Sequence, residues 1–117
     1  MNLEQVRHIA MALPSVTEEP HFTSTSFRVV GKIFATAPPS GEHLHVFIEE
    51  EARQRALALA PETLEILTWG KNVVGIRVIL KNASSALVKD LLLQSWTRKA
   101  PRRLLAESAA TAPRGKA

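Results

Sequence analysis

The 117-residue chain has no cysteine, and that absence removes disulfides, thiolate zinc sites, iron–sulfur clusters and thiol nucleophiles together. It also lacks any apolar run near the ~20 residues that cross a bilayer. Its opening residues, Met1 to Val6, carry Glu4 where a secretory leader would place basic residues ahead of an apolar stretch. A cytoplasmic protein without membrane contact is expected. Glycine is scarce and scattered, with 5 in all, so no phosphate-cradling glycine loop can be assembled. Neither a G-x-S-x-G elbow nor an H-E-x-x-H pattern occurs. What is present is 45% hydrophobic and 22% charged, the composition and length of one globular domain.

The formal charge of +4 is unevenly spread. Residues 1–65 hold five basic side chains (Arg7, Arg28, Lys32, Arg53, Arg55) against nine glutamates, a net of −4. Residues 66–117 hold ten basic side chains against Asp90 and Glu107, a net of +8. The second half therefore attracts polyanions, of which nucleic acid is the commonest inside a cell.

Along the chain, Asn2 with Gln5 three residues on makes a capping box. Val6, Ile9, Ala10 and Leu13 follow at helical spacing until Pro14. Thr23 to Ala37 is β-branched and aromatic around Gly31, which predicts a hairpin. Its register is open: a Val30-Gly31 loop sets Phe27 opposite Phe34, whereas a bulge at Lys32 sets Arg28 opposite Phe34 and turns Arg28 to the other face. Alternation from His43 to Ile48 predicts a third strand, and Glu49 to Ala60 a helix whose first turn suits the dipole. Two further strands, Leu64 to Trp69 and Val73 to Leu80, flank Gly70-Lys71-Asn72. A last helix capped at Ser84 or Ser85 runs to Pro101 with Leu87, Val88, Leu91, Leu92, Ser95 and Trp96 on its apolar stripe. The expected fold is α+β in two layers, a five-stranded antiparallel sheet with helices on one face, in the order α-β-β-β-α-β-β-α. Residues 1–105 form the domain, and 106–117 read as a disordered basic tail.

Several strings resemble the MmcQ/YjbR family of small bacterial proteins. They are Ser26-Phe27-Arg28-Val29-Val30-Gly31-Lys32-Ile33-Phe34-Ala35, then Trp69-Gly70-Lys71, Gly75-Ile76-Arg77-Val78 and Lys99-Ala100-Pro101-Arg102-Arg103-Leu104, in order over roughly residues 1–105. The resemblance implies a double-wing-like α/β arrangement and a DNA-binding role. The chain departs from the family where an acidic residue commonly follows the fifth strand, because Lys81-Asn82 stand there.

Each candidate residue also has a plainer role. Lys99, Arg102 and Arg103, beside Arg98, read as cations at a helix C-terminus, where the dipole stabilises them by ~0.3–1 kcal/mol. Lys32 and Lys71 at hairpin turns suit phosphate contact or simple solubility. Arg28 and Arg77 join this DNA-binding set as cations of the sheet. His43 and His45 are half of a metal site at most, so no metal or other cofactor is expected. Glu49, Glu50 and Glu51 open a helix rather than forming paired acids. Trp96 lies on an apolar stripe and reads as core, and core packing is also the plainer role for Trp69, which with His45 and Phe47 makes a candidate ligand face on the open side of the sheet. No complete catalytic set can be drawn, so no enzyme activity is expected. The leading expectation is a monomeric DNA-binding protein that contacts phosphate. The alternative is a protein- or small-ligand-binding module using the open sheet face.

Overall fold

Asn2 caps the first helix as its spacing predicts: its side chain accepts from the Gln5 amide at 2.9 Å, and Gln5 Oε1 accepts from the Asn2 amide at 2.9 Å. The computed structural model describes the backbone of residues 1–111 and the side chains of residues 1–106. Its elements are α1 (Leu3–Met11), β1 (Val16–His21), β2 (Ser24–Val29), β3 (Lys32–Ala37), β4 (His43–Val46), α2 (Glu50–Leu59), β5 (Leu64–Trp69), β6 (Asn72–Ile79), a short 3-10 turn (Leu80–Asn82), α3 (Ser85–Lys99) and α4 (Arg102–Thr111). The strands form one sheet in the order β1-β2-β3-β4-β6-β5, antiparallel throughout.

The sheet has six strands, not five. The missed strand is β1, whose Glu18, Glu19 and Pro20 argue against a strand on their own. It holds as an edge strand, where a proline without an N–H is tolerated and charges discourage further pairing. Cross-strand partners Phe27, Ala35, Val46 and Ile76 share one face, and Val78 lies opposite Leu44 and Leu64. This face meets Val6, Ala10, Val88, Leu91, Leu92 and Trp96 from the helices in one buried cluster. Helix-period and strand-period positions thus converge on the core that the patterning predicted, with Leu13 packed against its rim.

The first-hairpin register matches neither alternative in full. Val29 opposes Lys32 across a Val30-Gly31 loop, so Lys32 begins β3 rather than sitting in the turn. Arg28 then opposes Ile33 and Phe27 opposes Ala35, which leaves Phe34 as a bulge. Phe34 and Ala35 are both buried as a result, and Arg28 lies on the face opposite Phe27. Val30 and Gly31 both have positive φ, 47° and 81°, the pairing a type I′ turn needs and asparagine-glycine supplies best. A β-branched residue there is strained by ~1–2 kcal/mol. Val30→Asn is therefore expected to stabilise the fold by about 1 kcal/mol, read as a higher urea midpoint at unchanged m-value.

Past Pro101 the chain does not become a tail at residue 106. Helix α4 continues to Thr111, and Leu104 is buried in the core cluster. As expected, α3 ends just before Pro101, with Ala100 as its C-cap, and Pro101 then opens the next helix: its carbonyl accepts from the Leu104 amide at 3.0 Å, and its missing N–H is harmless there. The remainder of the expected tail, 112–117, lies outside the described residues.

Candidate nucleic-acid interface

The sheet face away from the helices carries a continuous polar row. Register places Glu19, Ser26, Thr36, His45, Arg77 and Glu65 side by side across all six strands. The Ser26 hydroxyl donates to the Glu19 carbonyl at 2.8 Å and accepts from Arg28 Nε at 2.9 Å. Arg28 also lies 3.9 Å from the Glu19 carboxylate. Across the row, Arg77 donates to His45 Nε2 at 3.3 Å and to Glu65 Oε1 at 3.2 Å. Burial first, then the charges of Arg77 and His43, lower the His45 pKa to about 4. His45 is thus neutral near pH 7, with a ring lone pair already engaged by Arg77. Arg28 and Arg77, both expected to meet phosphate, are held inside this network.

The other expected cations lie outside this network. Strands β3 and β6 are both antiparallel to β4 and so parallel to each other. The turns that precede them, Val30-Gly31 and Gly70-Lys71, therefore lie at the same end of the sheet. Their tips are separated by three strand spacings, ~14 Å. Lys32 adjoins the first turn and Lys71 occupies the second, both exposed. Among the described residues neither makes an ion pair, nor do Lys99, Arg102 and Arg103. Lys99 ends α3, whereas Arg102 and Arg103 open α4. This corrects their reading as helix C-terminal cations: the last two stand at the positive end of a dipole, where the local field opposes them and favours an anion nearby.

Between the two hairpins runs a groove of about 560 Å³. Ile33 and Thr36 form one wall, Trp69 and Val73 the other, and Arg53 and Lys99 reach its rim with Glu49 and Glu50. Of the expected ligand face, Phe47 and Trp69 meet edge to face at 5.3 Å between ring centres, and His45 belongs to the polar row instead. Trp69 is 59% exposed, so its role is not core packing. The acidic groups are engaged: Glu49 lies 3.5 Å from Arg98 Nε, and Glu50 accepts from Gln54 at 3.0 Å. Arg53 and Glu49 escaped notice as groove residues because the chain from Phe47 into α2 brings them there, and no local pattern records that path. His43 and His45 find no third ligand, since no cluster of three or more metal-ligating side chains occurs among the described residues. No helix among them is long and apolar enough to cross a membrane.

A family model described as YjbR matches residues 11–98. No curated protein matches the chain. Among solved structures, the chain is similar to the crystal structure of the Deinococcus radiodurans protein DR2400, which carries a DUF419 domain. The two share 17% identity over 92% of this chain and 88% of that one, with a TM-score of 0.72.

Proposed function

The chain belongs to the YjbR family, and from that premise and the placement of its cations we propose that it is a cytoplasmic, monomeric nucleic-acid-binding protein. It acts by binding phosphate, not by catalysis. One observation carries the reading: both hairpin turns lie at one end of the sheet, with Lys71 in one and Lys32 next to the other, both exposed and without an ion pair among the described residues. Lys99, Arg102 and Arg103 at the α3–α4 junction extend this cationic set, and the positive end of α4 adds to it. Phosphate contacts of this kind position a nucleic acid without reading its sequence.

A salt series of duplex binding by fluorescence anisotropy tests it. Five phosphate contacts, from Lys32, Lys71, Lys99, Arg102 and Arg103, give a slope of log affinity against log salt of about −4.5, at roughly −0.9 per contact. The double variant Arg102→Gln, Arg103→Gln is expected to flatten the slope to about −2.7, equally for unrelated duplexes. Absence of binding at low salt, or binding indifferent to all five cations, would overturn the proposal. The competing reading, a protein- or small-ligand-binding module, is favoured by the groove, and it predicts binding with little salt dependence.

A further inference from the structure

The groove between the hairpins has an aromatic platform and a cationic rim, a combination that phosphate contact alone does not require. Trp69 is held by Phe47 yet keeps more than half its surface in solvent, and Val73 beside it is 45% exposed. Such an apolar shelf costs solubility and adds nothing to the core. Arg53 hydrogen-bonds the Ile48 carbonyl at 3.5 Å, which anchors it where α2 meets the groove, and Lys99 faces it from the end of α3. Glu49 and Glu50, the groove's carboxylates, are partly neutralised or hydrogen-bonded by Arg98 and Gln54.

A flat ring linked to an anion fits both features, and successive ring–phosphate units are what an unpaired nucleic-acid strand presents. A duplex is excluded from this mode, because its bases are stacked on one another and offer no free face to an indole. We infer that the inter-hairpin groove binds single-stranded nucleic acid, with a base stacked on Trp69 and the adjoining phosphates on Arg53 and Lys99. The inference rests on the nucleic-acid reading above and adds to its phosphate contacts a mode open only to unpaired strands.

The test compares an oligothymidylate of about a dozen residues with a duplex of equal length at one salt concentration, by anisotropy. The single strand is expected to bind the tighter. Trp69→Ala is expected to weaken its binding about five- to hundred-fold while changing duplex binding less than about twofold. Trp69→Phe retains a ring and should recover most of the affinity. Binding should also quench tryptophan fluorescence in the native protein but not in Trp69→Phe, whose remaining indole, Trp96, is buried. An oligouridylate run alongside separates ribose from deoxyribose strands, and tighter binding of either supports the stack. If both strand types bind alike and Trp69→Ala leaves them so, or if the two Trp69 variants lose equal affinity, the groove assignment falls while phosphate binding stands. If nothing binds at low salt, the nucleic-acid reading fails first and takes the groove with it.

Discussion

Replacing Gly75 with alanine is expected to destabilise the protein by about 3 kcal/mol or more, as loss of the folded baseline at low urea. Gly75 lies within β6 opposite Leu67, beside the point where β4 ends. A Cβ there would stand 2.1 Å from the Val46 carbonyl oxygen and 3.0 Å from Phe47 Cα. Both obstacles are backbone, so no rotamer change relieves the clash and the strands themselves must separate. Its φ is not in the left-handed region, so the cost is contact alone. The same movement would displace Phe47 from Trp69 and open the groove. A Gly75→Ala protein within 1 kcal/mol of the native one would show that β4 and β6 separate easily at this point.

Trp96→Ala is expected to cost about 3–5 kcal/mol. The side chain is 2% exposed and among the largest fully enclosed in the core. Its indole N–H donates to the Pro14 carbonyl at 3.0 Å, across 82 residues of sequence. Truncation therefore leaves a cavity and unties α3 from the link between α1 and β1. Trp96→Phe separates the two effects, since it fills most of the volume and forfeits only the hydrogen bond, worth about 1 kcal/mol. Equilibrium urea unfolding of the two variants reads both numbers. If alanine and phenylalanine cost the same, volume is not what the site requires.

Helices, strands and core were legible wherever local chemistry and burial agree. Asn2 and Ser84 cap α1 and α3 because their side chains satisfy nearby amides, an interaction within four residues. Val46, Ile48, Val78, Leu91 and Trp96 follow the strand and helix periods that hydrophobic burial imposes, and all five enter one core cluster. Where a neighbour supplies the reason for a conformation, the local pattern is silent. Strand β1 exists because β2 offers it a free edge, and the start of α4 docks because Leu104 finds the core.

The candidate site divides in the same way. Composition alone located the positive charge in the second half of the chain, and the turn-forming Gly31 and Gly70 placed Lys32 and Lys71 near hairpin tips. That both tips lie at one end, that Arg28 and Arg77 are tied to Glu19 and Glu65, and that Arg102 and Arg103 begin a helix followed from pairing and docking. Charge is a property of each residue and is conserved through folding, so the sequence determined how much cation this protein has. Whether a cation meets a carboxylate or solvent depends on register and strand order, set by contacts between distant segments, so only the tertiary structure decided which cations face outward.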